Sequence, residues 1–219
     1  MNNTVLAGFG IASGIINTVA LVPYIRDIFR GKTKPERATW WVFLGLSGFA
    51  LVGQIQAGTR WALLMTVANV LAAGIIAVCS IWFGYGRLHR RDWVSLGIAA
   101  LGIGMAQVVN SSLLALVVVI GVDIAGFWLT VHKTWQAPHS ETLISWVLAT
   151  VSAGFGVAAV GKLNLAQLVY PVYILVSNGL LTYIIVARRP QVPRDATDDL
   201  RSPEARPGKL KTSKAPKAS

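Results

Sequence analysis

Two stretches of the chain read alike: ALVPYIRDIFRGKTKPERATWWVFLGLSGFALVGQIQAG over Ala20–Gly58, and DIAGFWLTVHKTWQAPHSETLISWVLATVSAGFGVAAVG over Asp123–Gly161. Set against each other without a gap, they match Pro35 with Pro138, Thr39 with Thr142, Gly53 with Gly156 and Gly58 with Gly161. Each passes from an apolar segment through a basic turn carrying a proline into a second apolar segment that closes on glycine. Matches this few are a weak signal in a glycine-rich chain. The shared order of segments is the stronger one, and it predicts an internal duplication, the arrangement that places a working site between two copies.

Apolar residues make up 54% of the 219 and charged residues 13%, too little polar surface to coat a soluble domain of this size. A helix that crosses a bilayer takes roughly 20 mostly apolar residues, because every backbone N–H and C=O must be satisfied within the segment. Seven stretches fit: Val5–Tyr24, Thr39–Ile55, Trp61–Phe83, Trp93–Val109, Leu113–Val131, Leu143–Val160 and Leu165–Ala187. The fold class expected is therefore an all-α integral membrane protein of seven transmembrane helices. Met1-Asn2-Asn3-Thr4 has no basic residue, and no small-residue cleavage site follows the first apolar run, so that segment is expected to stay attached. Trp40, Trp41, Trp61, Trp93 and Trp135 lie near the span ends, where an amphipathic indole prefers the headgroup zone.

Short cytoplasmic loops carry an excess of Lys and Arg. Arg26, Arg30, Lys32, Lys34 and Arg37 fall between the first two spans, Arg87, Arg90 and Arg91 between the third and fourth, and Lys133 between the fifth and sixth. The tail from Arg188 adds nine more to that side, against only Arg60 and Lys162 on the other. This puts the N-terminus outside and the C-terminus in the cytoplasm. The fourth span has no counterpart and carries the chain back across, so the copies are parallel. Residues 1–83 then form a first triple-helix repeat, 84–112 a linker helix, 113–187 a second repeat, and 188–219 a disordered basic tail. The tail's cations suit anionic lipid, at about 1 kcal/mol each near the surface, or serve as a solvated topology signal. No nucleic-acid partner is expected; homo-oligomerisation stays open. The membrane implied is a cell membrane crossed several times, of bacterial plasma-membrane type.

Two parallel triplets joined by one linker helix resemble the SWEET and PQ-loop superfamily. The family's first repeat has a Pro-Gln pair near the cytoplasmic end of its first helix; Leu21-Val22-Pro23-Tyr24-Ile25 keeps the proline and has tyrosine in place of glutamine. Asp123-Ile124-Ala125-Gly126 looks like the Asp-x-x-Gly element that opens the second motif in proton-coupled PQ-loop proteins, but no Pro-Gln pair follows and Gly126 occupies the aligned proline position. Pro138-His139-Ser140-Glu141-Thr142 with Trp146 is similar to the loop of bacterial PQ-loop-like membrane proteins. The resemblance covers about Val5–Ala187. It implies transport by alternating access, with asparagines in the last helix of each triplet meeting the substrate.

Asp123 is the only acidic residue within these spans. An acid at a helix centre costs about 3 kcal/mol on insertion scales, so it must face the bundle, pair, or stay protonated. Asp123 is thus the candidate for proton coupling, with a neutral acid bonded to a neighbouring helix as the plainer reading. Asn69 and Asn178 each offer a donor and an acceptor to a small polar solute, or a tie between helices worth about 1 kcal/mol. Tyr170, Tyr173, Ser177 and Asn178 share a face at helical spacing, which makes Tyr173, Ser177 and Asn178, with Asn69, the candidate substrate-binding set. Pro23 and Gly126 occupy equivalent positions and are candidate hinges. Gly10 and Gly14 give a small-xxx-small spacing for close helix contact. Glu141 reads as a helix-start acid, His132 and His139 form a poor metal pair, and Cys79 reads as packing. No metal or cofactor is expected.

The function expected is a transporter of a small polar solute such as a sugar, an amino acid or a related metabolite. The alternative is a non-transporting membrane receptor or accessory protein of the same fold, which the altered Pro-Gln pairs favour. A retinal-binding protein would need a lysine in Leu165–Ala187, which has none. An intramembrane enzyme would need a nucleophile, a base or clustered metal ligands at depth, and the spans offer one acid without a histidine partner.

Overall fold

The computed structural model describes residues 2–85, 93, 97, 112–161 and 164–193, and among them the chain is all-helical, without strands. The helices are α1 (Asn3–Phe29), α2 (Arg37–Gln56), α3 (Leu63–Phe83), α4 (Ser112–Gln136), α5 (Leu143–Ala158) and α6 (Leu165–Arg188), with a 3-10 turn at Pro138–Ser140. They fall on six of the seven stretches expected. Trp93–Val109, apart from Trp93 and Gly97, lies outside the described residues, as does the chain from 194 onward.

Local chemistry sets the ends. Asn2 caps α1 by accepting from the Thr4 N–H at 3.3 Å, supplying a partner that the first helical turn lacks. α2 ends on Gly58 at φ +71°, with the Thr59 N–H bonded to the Gln54 carbonyl at 2.9 Å, a Schellman-type stop that needs the left-handed region where glycine avoids the Cβ penalty. Gly161, its partner in the gapless alignment, has φ +69°. α1 runs on past Tyr24 to Phe29, with Pro23 inside it.

The faces of these helices are inverted relative to a soluble bundle. α1 buries Ser13, Asn17, Ala20 and Tyr24 while exposing Ile11, Ile15, Val19 and Val22. α3 likewise exposes Leu64, Val67, Leu71, Ile75, Val78 and Trp82. Water would penalise such a surface, whereas hydrocarbon does not. α1, α2, α3 and Gln167–Arg188 of α6 are long and apolar enough to cross a membrane. The chain is a membrane protein.

The six helices close into a ring. α1 packs on α3 and α5, α2 on α3 and α4, and α6 on α4 and α5. Each neighbour pair in one half has a counterpart in the other: α1–α3 with α4–α6, α2–α3 with α5–α6, and the seams α1–α5 with α2–α4. The ring contacts across the seams follow the same rule. Tyr24 meets Trp146 edge-on at 6.4 Å between centroids, and Phe43 stacks on Phe127 at 6.4 Å. In the gapless alignment Tyr24 stands opposite Phe127 and Phe43 opposite Trp146. Gly10 lets α1 approach the turn that leads into α3, since a Cβ there would meet the Trp61 carbonyl, in keeping with a packing role.

One local expectation needs correction. Trp40 is not a boundary residue: it packs with Tyr24, Phe43 and Trp146 inside the ring. The end of α6 and the first residues after it make contacts with the turn before α5 and with the end of α4. Arg189 Nη2 donates to the Glu141 carbonyl at 2.7 Å, His139 Nε2 is 2.9 Å from the Val192 carbonyl oxygen, and the Arg188 guanidinium lies 4.5 Å from the Trp135 ring centre.

Candidate functional site

All six helices contribute to a cavity of about 110 Å³ at the centre of the ring. A water needs roughly 10–15 Å³, so the space suits several waters or one small solute. Its polar lining is sparse. α1 gives Asn17, α2 Ser47, α3 Asn69, α4 Asp123, α5 Ser145, and α6 Tyr170, Tyr173, Ser177 and Asn178. Trp40, Phe43, Phe127 and Trp146 supply aromatic walls.

Asp123 is 6% exposed. The Tyr173 hydroxyl, on the facing helix α6, donates to its Oδ2. Among the described residues nothing bonds Oδ1, and the same holds for Asn69 Nδ2 and Ser145 Oγ, all three buried. Buried polar atoms without partners are uncommon, because each forgoes about 1–3 kcal/mol of hydrogen bonding available in water. Three such atoms, from three helices around one cavity, mark where a polar guest would be held. Asn69 is positioned by Asn17, whose Nδ2 donates to Asn69 Oδ1 at 2.6 Å. Ser177 is less available, its hydroxyl donating to the Tyr173 carbonyl at 2.9 Å.

Asp123, Asn69, Tyr173, Ser177 and Asn178 therefore share one cavity. The two hinge candidates do not line it. Gly126 is a contact point: its carbonyl accepts from Thr39 Oγ1 at 3.0 Å, and a Cβ there would sit 3.0 Å from Val42 Cγ1. Asn17, Ser47 and Ser145 are the polar lining residues that sequence reasoning missed. An asparagine in an otherwise apolar first span was the available signal for Asn17; Ser145, at a helix start, gave none.

Two ties flank the cavity along α1. Toward the N-terminal end of that helix, Ser13 and Ser152 exchange hydrogen bonds, each hydroxyl donating to the other's carbonyl at 2.7 and 2.8 Å. Toward the other end lies a buried ion pair, Lys133 with Glu141, at 5% and 2% exposure. Glu141 does not cap α5, whose N-cap is Thr142. Its Oε2 instead accepts from Trp146 Nε1 at 2.9 Å and from the Tyr24 hydroxyl at 3.2 Å, and Lys133 Nζ also donates to the Lys34 carbonyl at 2.8 Å. Thr142 extends the tie, donating to Asp27 Oδ2 at 3.0 Å and lying 2.6 Å from the Thr33 hydroxyl. Both ties join α1–α3 to α4–α6.

No group of three His, Cys, Asp or Glu is assembled among the described residues. Comparison with family models, with curated proteins and with solved structures gives no match.

Proposed function

We propose that the chain is a multi-pass membrane carrier for a small polar solute, working by alternating access between two parallel triplets. The triplets are α1–α3 and α4–α6, the segment Trp93–Val109 is the linker helix between them, the N-terminus is outside and the C-terminus cytoplasmic. The paired contacts of the ring and the matched glycine stops support the duplication, and the basic loops support the orientation. On this reading the chain is a SWEET and PQ-loop type protein of a bacterial plasma membrane.

One observation carries the proposal: a cavity ringed by six helices, holding three buried and unpartnered polar atoms, lies between two ties that join the halves. A carrier needs a site reachable from one side at a time, and breaking either tie singly would meet that need. Asp123 is the residue through which a proton would couple to the solute, and Asn69, Tyr173 and Asn178 would orient it. Uptake by reconstituted vesicles, with a panel of sugars, amino acids and related polar metabolites and with or without a pH gradient, tests the reading. Accumulation of at least one solute above protein-free vesicles is expected. The alternative, a receptor without transport, draws on the replaced Pro-Gln pairs, and silence across the panel would favour it.

A further inference from the structure

The cavity has an acid and no base. Among its described lining residues there is no Lys, Arg or His. Among the described residues, titratable groups face Asp123 only from α6, as the phenols Tyr170 and Tyr173; α1, α2, α3 and α5 bring amide, hydroxyl, apolar and indole groups to the cavity. On α4 itself, His132 and Lys133 lie nearly three turns away, roughly 15 Å at the helical rise, and Lys133 is held by Glu141. A carboxylate buried without a counter-charge is strongly disfavoured, so its charge must be met by a proton or by a cation that enters the cavity. Six aromatic rings from four helices surround the space, and the negative face of a ring attracts a cation most when water is excluded.

We propose that the cavity binds a small organic ammonium, with Asp123 Oδ1 as its counter-charge and the rings of Trp40, Trp146 and their neighbours around it, so that ammonium and proton exclude each other at one carboxyl. This rests on reading the cavity as a solute site. The unpartnered Ser145 Oγ can donate, so the guest also carries an acceptor, as a hydroxylated amine does. A free carboxylate is selected against, because it would face Asp123 and find no cation among the described lining residues. The proton step balances simply: the ammonium enters as the carboxylic acid releases its proton, and no other bond changes.

The test uses the full chain, purified in detergent, and a matched set of probes: 2-aminoethanol, its trimethylated cation choline, the neutral ethylene glycol, and glycine. The quaternary cation keeps its charge at every pH, so any pH dependence of its binding belongs to the protein. Both cations are expected to bind and the neutral and zwitterionic probes not to. Choline binding is expected to weaken by about tenfold for each unit of falling pH over the range where Asp123 takes up its proton. Asp123→Asn is expected to lose about 10- to 100-fold in affinity for the cations, and Asp123→Glu to keep the pH dependence. Should Asp123→Asn fail to fold, the wild-type pH series decides alone. Binding of ethylene glycol as tight as that of the cations, or choline binding that ignores pH, overturns the proposal. Vesicle uptake separates it from the carrier reading. Cation binding without transport keeps the ammonium site and removes the carrier, whereas transport of neutral solutes without cation binding keeps the carrier and removes the ammonium site.

Discussion

Asp123 could be read from the sequence because bilayer physics makes a lone acid conspicuous: nothing else in the spans is so costly to bury. The structure gives it a partner, Tyr173, that helical spacing alone could not assign, since the two lie on different helices. If this carboxyl carries the coupling proton, Asp123→Asn leaves uptake in reconstituted vesicles insensitive to an imposed pH gradient, and an unchanged gradient dependence removes the residue from coupling. Glu141 and Lys133 show the opposite case. Taken singly, one resembles a helix cap and the other a loop cation; only the turn at Pro138–Ser140 folds them together into a buried pair. Removing one member of such a pair strands the other charge, at about 3–5 kcal/mol. Glu141→Gln should therefore lower the unfolding midpoint in detergent, and Lys133→Met added to it should recover most of the loss. A double variant no more stable than the single one would mean that the pair itself contributes little.

Elements were legible where covalent geometry leaves few choices. Length and hydropathy place six helices near their observed positions, and the two glycines that stop α2 and α5 sit at matched places because a helix closing on the left-handed region favours that residue. Which face of a helix turns inward was less legible, since apolar residues surround most of each helix; Trp40, expected at a boundary, shows this. Close approach between elements is a sharper test of the packing. Gly10 faces the Trp61 backbone, whereas Gly8 on the same helix has open space where a Cβ would stand. Gly10→Ala is expected to cost about 1–3 kcal/mol of stability, the range for overpacking a well-fitted contact. Gly8→Ala, in the same unfolding assay, should be neutral or slightly stabilising, since alanine favours helix over glycine. Equal effects at the two positions would contradict the α1–α3 packing.

At the scale of the molecule, the ring of six helices joins its two halves along the seams α1–α5 and α2–α4, with the cavity between them. Order along the chain and the gapless alignment hinted at two halves, but not at the seams, because contacts between distant segments leave no trace in a local pattern. The carrier reading requires those seams to open in turn. Ser13 and Ser152 stand on one of them with hydroxyls 3.3 Å apart, near enough for a disulfide between cysteines placed there. Cys79 is the only native cysteine, so a Cys79→Ala background leaves the introduced pair alone. Uptake by vesicles containing Ser13→Cys/Ser152→Cys protein measures the central claim directly. Oxidation should reduce transport to the level of protein-free vesicles and reductant should restore it, whereas undiminished transport by the fully cross-linked protein would contradict alternating access between the two halves.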